Sequence, residues 1–136
     1  PPRSTPLYSS AASDVYKRQG YYNESDYHNL TEWMLNKFSE NSINILDTFY
    51  CPHTPESFCE CRKPNPGMLL EAKNQYNIDM KNSWMIGDLE TDIRAANRAG
   101  ITNTILVSGA NLIDESNSNS RFSVNSIKQS KKLINL

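Results

Sequence analysis

Helical spacing of apolar positions begins after Asn23, where Tyr27, Leu30, Met34 and Phe38 recur at three- and four-residue steps. Asn23 or Ser25 can cap and acids fill the first turn, so the pattern predicts an amphipathic helix over about 24–40. Asn44-Ile45-Leu46-Asp47-Thr48-Phe49-Tyr50 is short, apolar and aromatic, with Asn/Ser before it and Cys-Pro after it, and reads as a strand. Residues 51–66 hold four prolines and every cysteine, which makes a loop. A second helix opens near Gly67, places Met68, Leu69, Ala72 and Tyr76 on one face, and stops around Asn77. Trp84-Met85-Ile86 is a brief buried-strand run that ends in Gly87-Asp88, so it delivers an acid at its carboxyl end.

A third helix over about 90–99 ends on Gly100, as a left-handed C-cap would. Thr104-Ile105-Leu106-Val107 is the next strand, and Ser108–Ser120 is a Ser/Asn-rich loop. Phe122 and Val124 then alternate with polar residues, and Ser126 can cap a last helix with Ile127, Leu133 and Ile134 as its apolar positions. Strands separated by helices of about ten residues mean right-handed crossovers and a mainly parallel sheet covered on both faces, an α/β architecture.

Residues 1–19, PPRSTPLYSSAASDVYKRQ, have no such period and carry three prolines with a Ser/Ala patch. They read as a non-native or disordered segment, the SDVYKRQ end being similar to translated adapter sequence, and residues 20–136 as one partial domain. Composition narrows the partners. With Lys+Arg 14 against Asp+Glu 15, the net charge of -1 argues against a nucleic-acid binder of the usual basic kind. No apolar run approaches the roughly 18–20 residues that cross a bilayer, so the expectation is a cytoplasmic protein with no membrane partner.

The three cysteines lie within eleven positions of one another, as Cys51-Pro52-His53, five intervening residues, then Cys59-Glu60-Cys61. Three thiolates and an imidazole form a closed tetrahedral set suited to structural zinc, with no position left for a reacting water. Small buried cysteines beside an exposed histidine are the alternative; free cysteines seldom cluster in a polar, Pro-rich loop.

Arg62-Lys63-Pro64-Asn65-Pro66 follows directly and runs into a helix start, where two cations would attract a phosphate: Lys63 as a point charge, Arg62 as a bidentate fork. Two solvated charges before a helix would look the same. Asp88 sits at a strand's carboxyl end, where open α/β sheets bind ligands, and could hold Mg²⁺ or merely cap the next helix. Asp92, one helical turn on, is expected to bond backbone groups near the phosphate loop rather than metal.

Together, YCPH...CECRKPNPGMLL, WMIGDLETDIRAANRAG and TILV resemble the haloacid-dehalogenase-like (HAD) phosphatases, in particular the heptose-bisphosphate and histidinol-phosphate phosphatase branch. The resemblance implies a Rossmann-like domain, structural Zn²⁺, catalytic Mg²⁺, and hydrolysis of a small phosphorylated metabolite through an aspartyl-phosphate. Carried over by position, Cys51, His53, Cys59 and Cys61 would hold zinc and Asp88 magnesium. Lys63 would be catalytic with Asp88, and Arg62 would bind substrate beside Lys63. Where relatives often carry a basic or polar residue, this chain has Leu89, which loosens the substrate assignment.

The family's D-x-D pair, nucleophile and acid/base, should lie upstream of Gly20 and is not found there, where Asp14 stands without a partner. The expectation is a C-terminal portion that lacks the sheet's first strand and is inactive by itself, from an intact protein that is a monomer. A non-catalytic, zinc-stabilised phosphate-binding module is the competing reading.

Overall fold

The computed structural model describes residues 23–109 and 118–134. Residues 1–19 lie outside them, as does most of the Ser/Asn-rich loop. The described residues up to Cys59 belong to one compact unit, and those from Glu60 to another.

In the first unit, helix α1 spans Glu24–Glu40. Asn23 rather than Ser25 caps it: its side-chain oxygen accepts from the Asp26 N–H and the Asp26 carboxylate accepts from the Asn23 N–H, both at 2.9 Å. This reciprocal box satisfies two of the donors that a helix start leaves open. Tyr27 is buried and lies against Tyr50, ring centroids 4.3 Å apart, while Leu30 and Trp33 remain exposed. Burial, then the nearby Glu24 carboxylate and Tyr27, raise the Tyr50 pKa above its ordinary value.

Residues 44–50 correct the sequence reading: they form no strand. Local composition there suits an extended chain, but a strand exists only through ladder bonds to a neighbour, and among the described residues none pairs with it.

The second unit is built on a sheet. Helix α2 (Gly67–Tyr76) buries Met68, Leu69 and Ala72 and ends on Asn77 in the left-handed conformation. A short 3₁₀ turn, Met80–Asn82, follows under an Asp79 cap. Strand β1 is Trp84–Gly87, helix α3 is Glu90–Ala99 and strand β2 is Asn103–Val107. Strand β3 (Phe122–Val124) and helix α4 (Ile127–Ile134) complete the unit. The order in the sheet is β1-β2-β3, both pairs parallel, with Ile86 opposite Ile105 and Ile105 opposite Phe122.

Helix α3 packs on β1 and β2, and α2 packs on α3. Ile93, Ala95, Ala96 and Ala99 form its inner face, and the small alanines let the helix lie close to the strands. Gly100 ends α3 at φ +93°, donating its N–H to the Asn97 carbonyl at 3.1 Å, a conformation that suits glycine at a helix end. Thr104 is fully buried, and its hydroxyl accepts from the Arg121 N–H at 2.9 Å, so the β2 interior carries a satisfied polar group. Among the described residues no helix is long and apolar enough to cross a membrane.

Candidate metal and phosphate site

The loop from Cys51 gathers its donors. Ligand atoms of Cys51, His53, Cys59 and Cys61 all lie within 4.8 Å of one another, with Cys51 Sγ 3.4 Å from Cys59 Sγ and 3.7 Å from His53 Nδ1. A tetrahedral zinc with Zn–S near 2.3 Å sets its sulfurs about 3.8 Å apart. The Cys51–Cys59 sulfur separation is slightly shorter than that value, the other donors stay within 4.8 Å, and no disulfide joins the three cysteines. The donor chemistry and the spacing therefore both fit zinc. Within the loop a single 3₁₀ turn, Pro55–Ser57, is closed by the Ser57 N–H and hydroxyl on the Thr54 carbonyl, at 3.1 and 2.7 Å.

From Glu60 the backbone folds back on itself. The Gly67 N–H donates to the Glu60 carbonyl at 3.0 Å, and the Asn65 N–H to the Arg62 carbonyl at 2.9 Å. Arg62 and Lys63 thus sit on a closed turn rather than a free loop. The Lys63 ammonium forms an ion pair with Asp92 Oδ1, and both side chains are largely buried, at 13 % and 6 % exposed. A pair this buried has strong mutual attraction and a large desolvation cost, so it fixes position more than it adds stability.

Asp92 has a second duty: its Oδ2 accepts from the Leu89 N–H at 3.1 Å, which pins the turn between β1 and α3. Gly87 is what allows this. A Cβ there would lie 2.4 Å from Asp92 Cβ and 2.7 Å from its Oδ2. On that turn Asp88 is exposed at the carboxyl end of β1, and Leu89 beside it is 48 % exposed. Asp92 does bond backbone, but at Leu89 on the turn between β1 and α3; what it meets in the segment expected to bind phosphate is the Lys63 side chain. Its pairing with Lys63, 29 positions away, left no local signal.

Two further contacts escaped sequence reasoning. Arg98 at the end of α3 donates to the Pro64 carbonyl at 3.1 Å and to Asn65 Oδ1 at 3.4 Å. Glu90 in the first turn of α3 accepts from the Asn119 N–H at 2.9 Å, the Asn119 side chain at 3.0 Å and the Ser118 hydroxyl at 3.0 Å. Burial opposes ionisation of Glu90, but these hydrogen bonds and the Arg94 charge outweigh it and hold its pKa below the ordinary carboxylate value.

Set against known proteins, residues 60–129 match the model of the HAD-hydrolase-like family. The chain is 41 % identical over 114 residues to the D-glycero-alpha-D-manno-heptose-1,7-bisphosphate 7-phosphatase of Photorhabdus laumondii, covering 79 % of this chain and 62 % of that protein. It is 37 % identical over 123 residues to the D-glycero-beta-D-manno-heptose-1,7-bisphosphate 7-phosphatase of Pasteurella multocida, covering 85 % and 67 %.

The fold is similar to the crystal structure of the B. bronchiseptica D,D-heptose 1.7-bisphosphate phosphatase complexed with magnesium and phosphate, at TM-score 0.72 and 22 % identity, over 95 % of this chain and 72 % of that one. The chain thus spans less than two thirds of the Photorhabdus relative. Its parallel sheet, the acid at the end of β1 and a match that runs from the turn at Glu60 past β3 have one explanation: this chain belongs to the HAD-hydrolase-like family.

Proposed function

We propose that this chain forms the phosphate-binding part of a magnesium-dependent phosphatase acting on a phosphorylated sugar, with the 7-phosphate of a heptose 1,7-bisphosphate as its target. The observation that carries this reading is Lys63 held by buried Asp92 against the turn that presents Asp88. The names of the Photorhabdus and Pasteurella relatives support the choice of substrate. In this reading Lys63 neutralises charge on the transferring phosphoryl group, Arg62 grips the substrate and Asp88 ligates Mg²⁺. Magnesium, when bound, supplies positive charge at the phosphoryl oxygens, which is where phosphoryl transfer needs stabilisation. Zinc held by Cys51, His53, Cys59 and Cys61 is structural, because a closed four-ligand set leaves no site for a reacting water.

Each of the chain's own groups has a definite task. Asp92 holds the Lys63 ammonium in place, so little reorganisation is required when phosphate arrives. No Asp in the sequence stands two residues from another, so the attacking carboxylate and its acid/base partner are assigned to residues outside this chain. The chain alone then binds phosphate without turning it over. Histidinol phosphate is the nearest competing substrate. The same missing pair favours a second reading, a zinc-stabilised phosphate-binding module without catalysis.

Calorimetric titration of the chain with inorganic phosphate, with and without Mg²⁺, tests the reading. Lys63→Ala is expected to weaken binding about tenfold or more, the scale of a charge-assisted contact, and Asp88→Asn to remove the dependence on Mg²⁺. Affinity unchanged in both variants would overturn it. Hydrolysis of a heptose 1,7-bisphosphate by the chain, abolished in Asp88→Asn, would exclude the module reading and return the nucleophile to this polypeptide.

A further inference from the structure

Helix α3 touches the segment carrying Arg62 and Lys63 at two points. In its first turn Asp92 holds the Lys63 ammonium. In its last turn Arg98 donates to the Pro64 carbonyl at 3.1 Å and to Asn65 Oδ1 at 3.4 Å. Six residue steps of helix separate Asp92 from Arg98, about 9 Å along the axis. A single ion pair is a pivot: the ammonium of a flexible four-carbon stem can swing around a carboxylate while keeping the contact. A second attachment, one residue further along the backbone, removes that rotation. The guanidinium suits the task because one of its amino groups, Nη1, carries two donors held in a fixed plane and reaches a main-chain carbonyl and a side-chain oxygen at once.

We propose that Arg98 is a positioning residue for phosphate binding, acting through the Arg62–Asn65 turn, and that it fixes the direction from which Lys63 and Arg62 approach the ligand. This deepens the phosphatase reading and rests on it for its ligand, but the placement of the turn is tested without any ligand. The Asn65 amide is the reporter, because it closes the turn on the Arg62 carbonyl at 2.9 Å. Arg98 is exposed, so its substitution leaves no buried charge behind.

The experiment compares the chain with its Arg98→Ala and Arg98→Lys variants by amide hydrogen exchange and by calorimetry with inorganic phosphate and Mg²⁺. In Arg98→Ala the Asn65 amide is expected to exchange about tenfold faster and phosphate affinity to fall about fivefold, the scale of one or two hydrogen bonds from a charged donor exposed to water. Amides of Ile105 and Leu106 in β2 should stay as slow as in the parent. Arg98→Lys, which keeps the charge but not the reach and planar geometry of the Nη1 amino group, should fall between the two.

Unchanged Asn65 exchange in Arg98→Ala overturns the inference, whatever happens to phosphate. Exchange accelerated equally in β2 also overturns it, since Arg98 would then be supporting the fold at large. If the parent binds no phosphate while Asn65 responds as expected, the phosphatase reading fails and the placement of the turn by Arg98 stands. Should Arg98→Ala not fold, Arg98→Lys carries the same comparison, and an Asn65 rate equal to the parent's overturns the proposal.

Discussion

From Glu60 onward the chain buries Met68, Leu69, Ala72, Met80, Met85, Ile93, Ile101, Ile105 and Leu106 around three paired strands. From Asn23 to Cys59, Tyr27 and Phe49 are the only buried apolar side chains among the described residues. The later unit has the makings of self-support: parallel ladders, a helix with an alanine face and a continuous apolar interior. The earlier one has a well-capped helix, an aromatic pair and three of the four candidate metal donors. Small cores commonly need a metal or cross-link to hold them, and three of the four candidate donors, Cys51, His53 and Cys59, stand in the unit with the thinner core. In the proposed reading, metal at these donors would substitute for burial where the sequence offers little to bury.

Withdrawing the metal gives the largest expected effect. With zinc loaded, Cys59→Ser or a strong chelator should release the metal and erase amide protection over residues 51–61, because ligand binding and local folding are coupled in such sites. Protection in β1 and β2 should persist. Equal loss in both regions, read by hydrogen exchange, would break the comparison. Leu106→Ala comes next: it empties a fully buried position in β2 and should cost about 2–5 kcal/mol in denaturant unfolding of the sheet unit. Zinc content measured on the same variant should be unchanged.

The smallest effect concerns Glu90. Its folded-state pKa is depressed, so its contribution to stability is fully present above the unfolded carboxylate value. It is lost as pH falls through the lower folded value. Glu90→Gln should flatten the acid limb of the stability profile by about 1 kcal/mol or less and loosen Ser118 and Asn119, with no change near residues 51–61. A parallel acid limb in parent and variant would remove this role from Glu90.

What could be read from the sequence was what is decided locally. Asn23 and Asp26 are three residues apart, and their reciprocal capping announces the start of α1. The apolar runs at Trp84 and Thr104 need no distant information to mark buried strands, and Gly100 is a local stop for α3. The C-x-H...C-x-C spacing is likewise a short-range signal, and its four donors do converge. Residues 44–50 show the limit: extended propensity was visible, but pairing depends on a partner elsewhere, and none of the described residues supplies one.

The chemistry around Lys63 lay beyond reach for the same reason. Its counter-ion is 29 positions away, and Arg98 reaches back 34 positions to Pro64. Neither Asp92 nor Arg98 differs, as a letter in a helix, from a solvated charge. Only the packing of α3 against the sheet turns its two ends toward one turn of backbone.

Gly87 and Asp92 occupy a shared volume, and that constrains how relatives of this chain can diverge. A bulkier residue at 87 requires the carboxylate at 92 to withdraw, and a withdrawn carboxylate strands the Lys63 charge. Single substitutions at either place are therefore barriers, and lineages should be found to keep glycine, aspartate and lysine as a trio or to have exchanged all three.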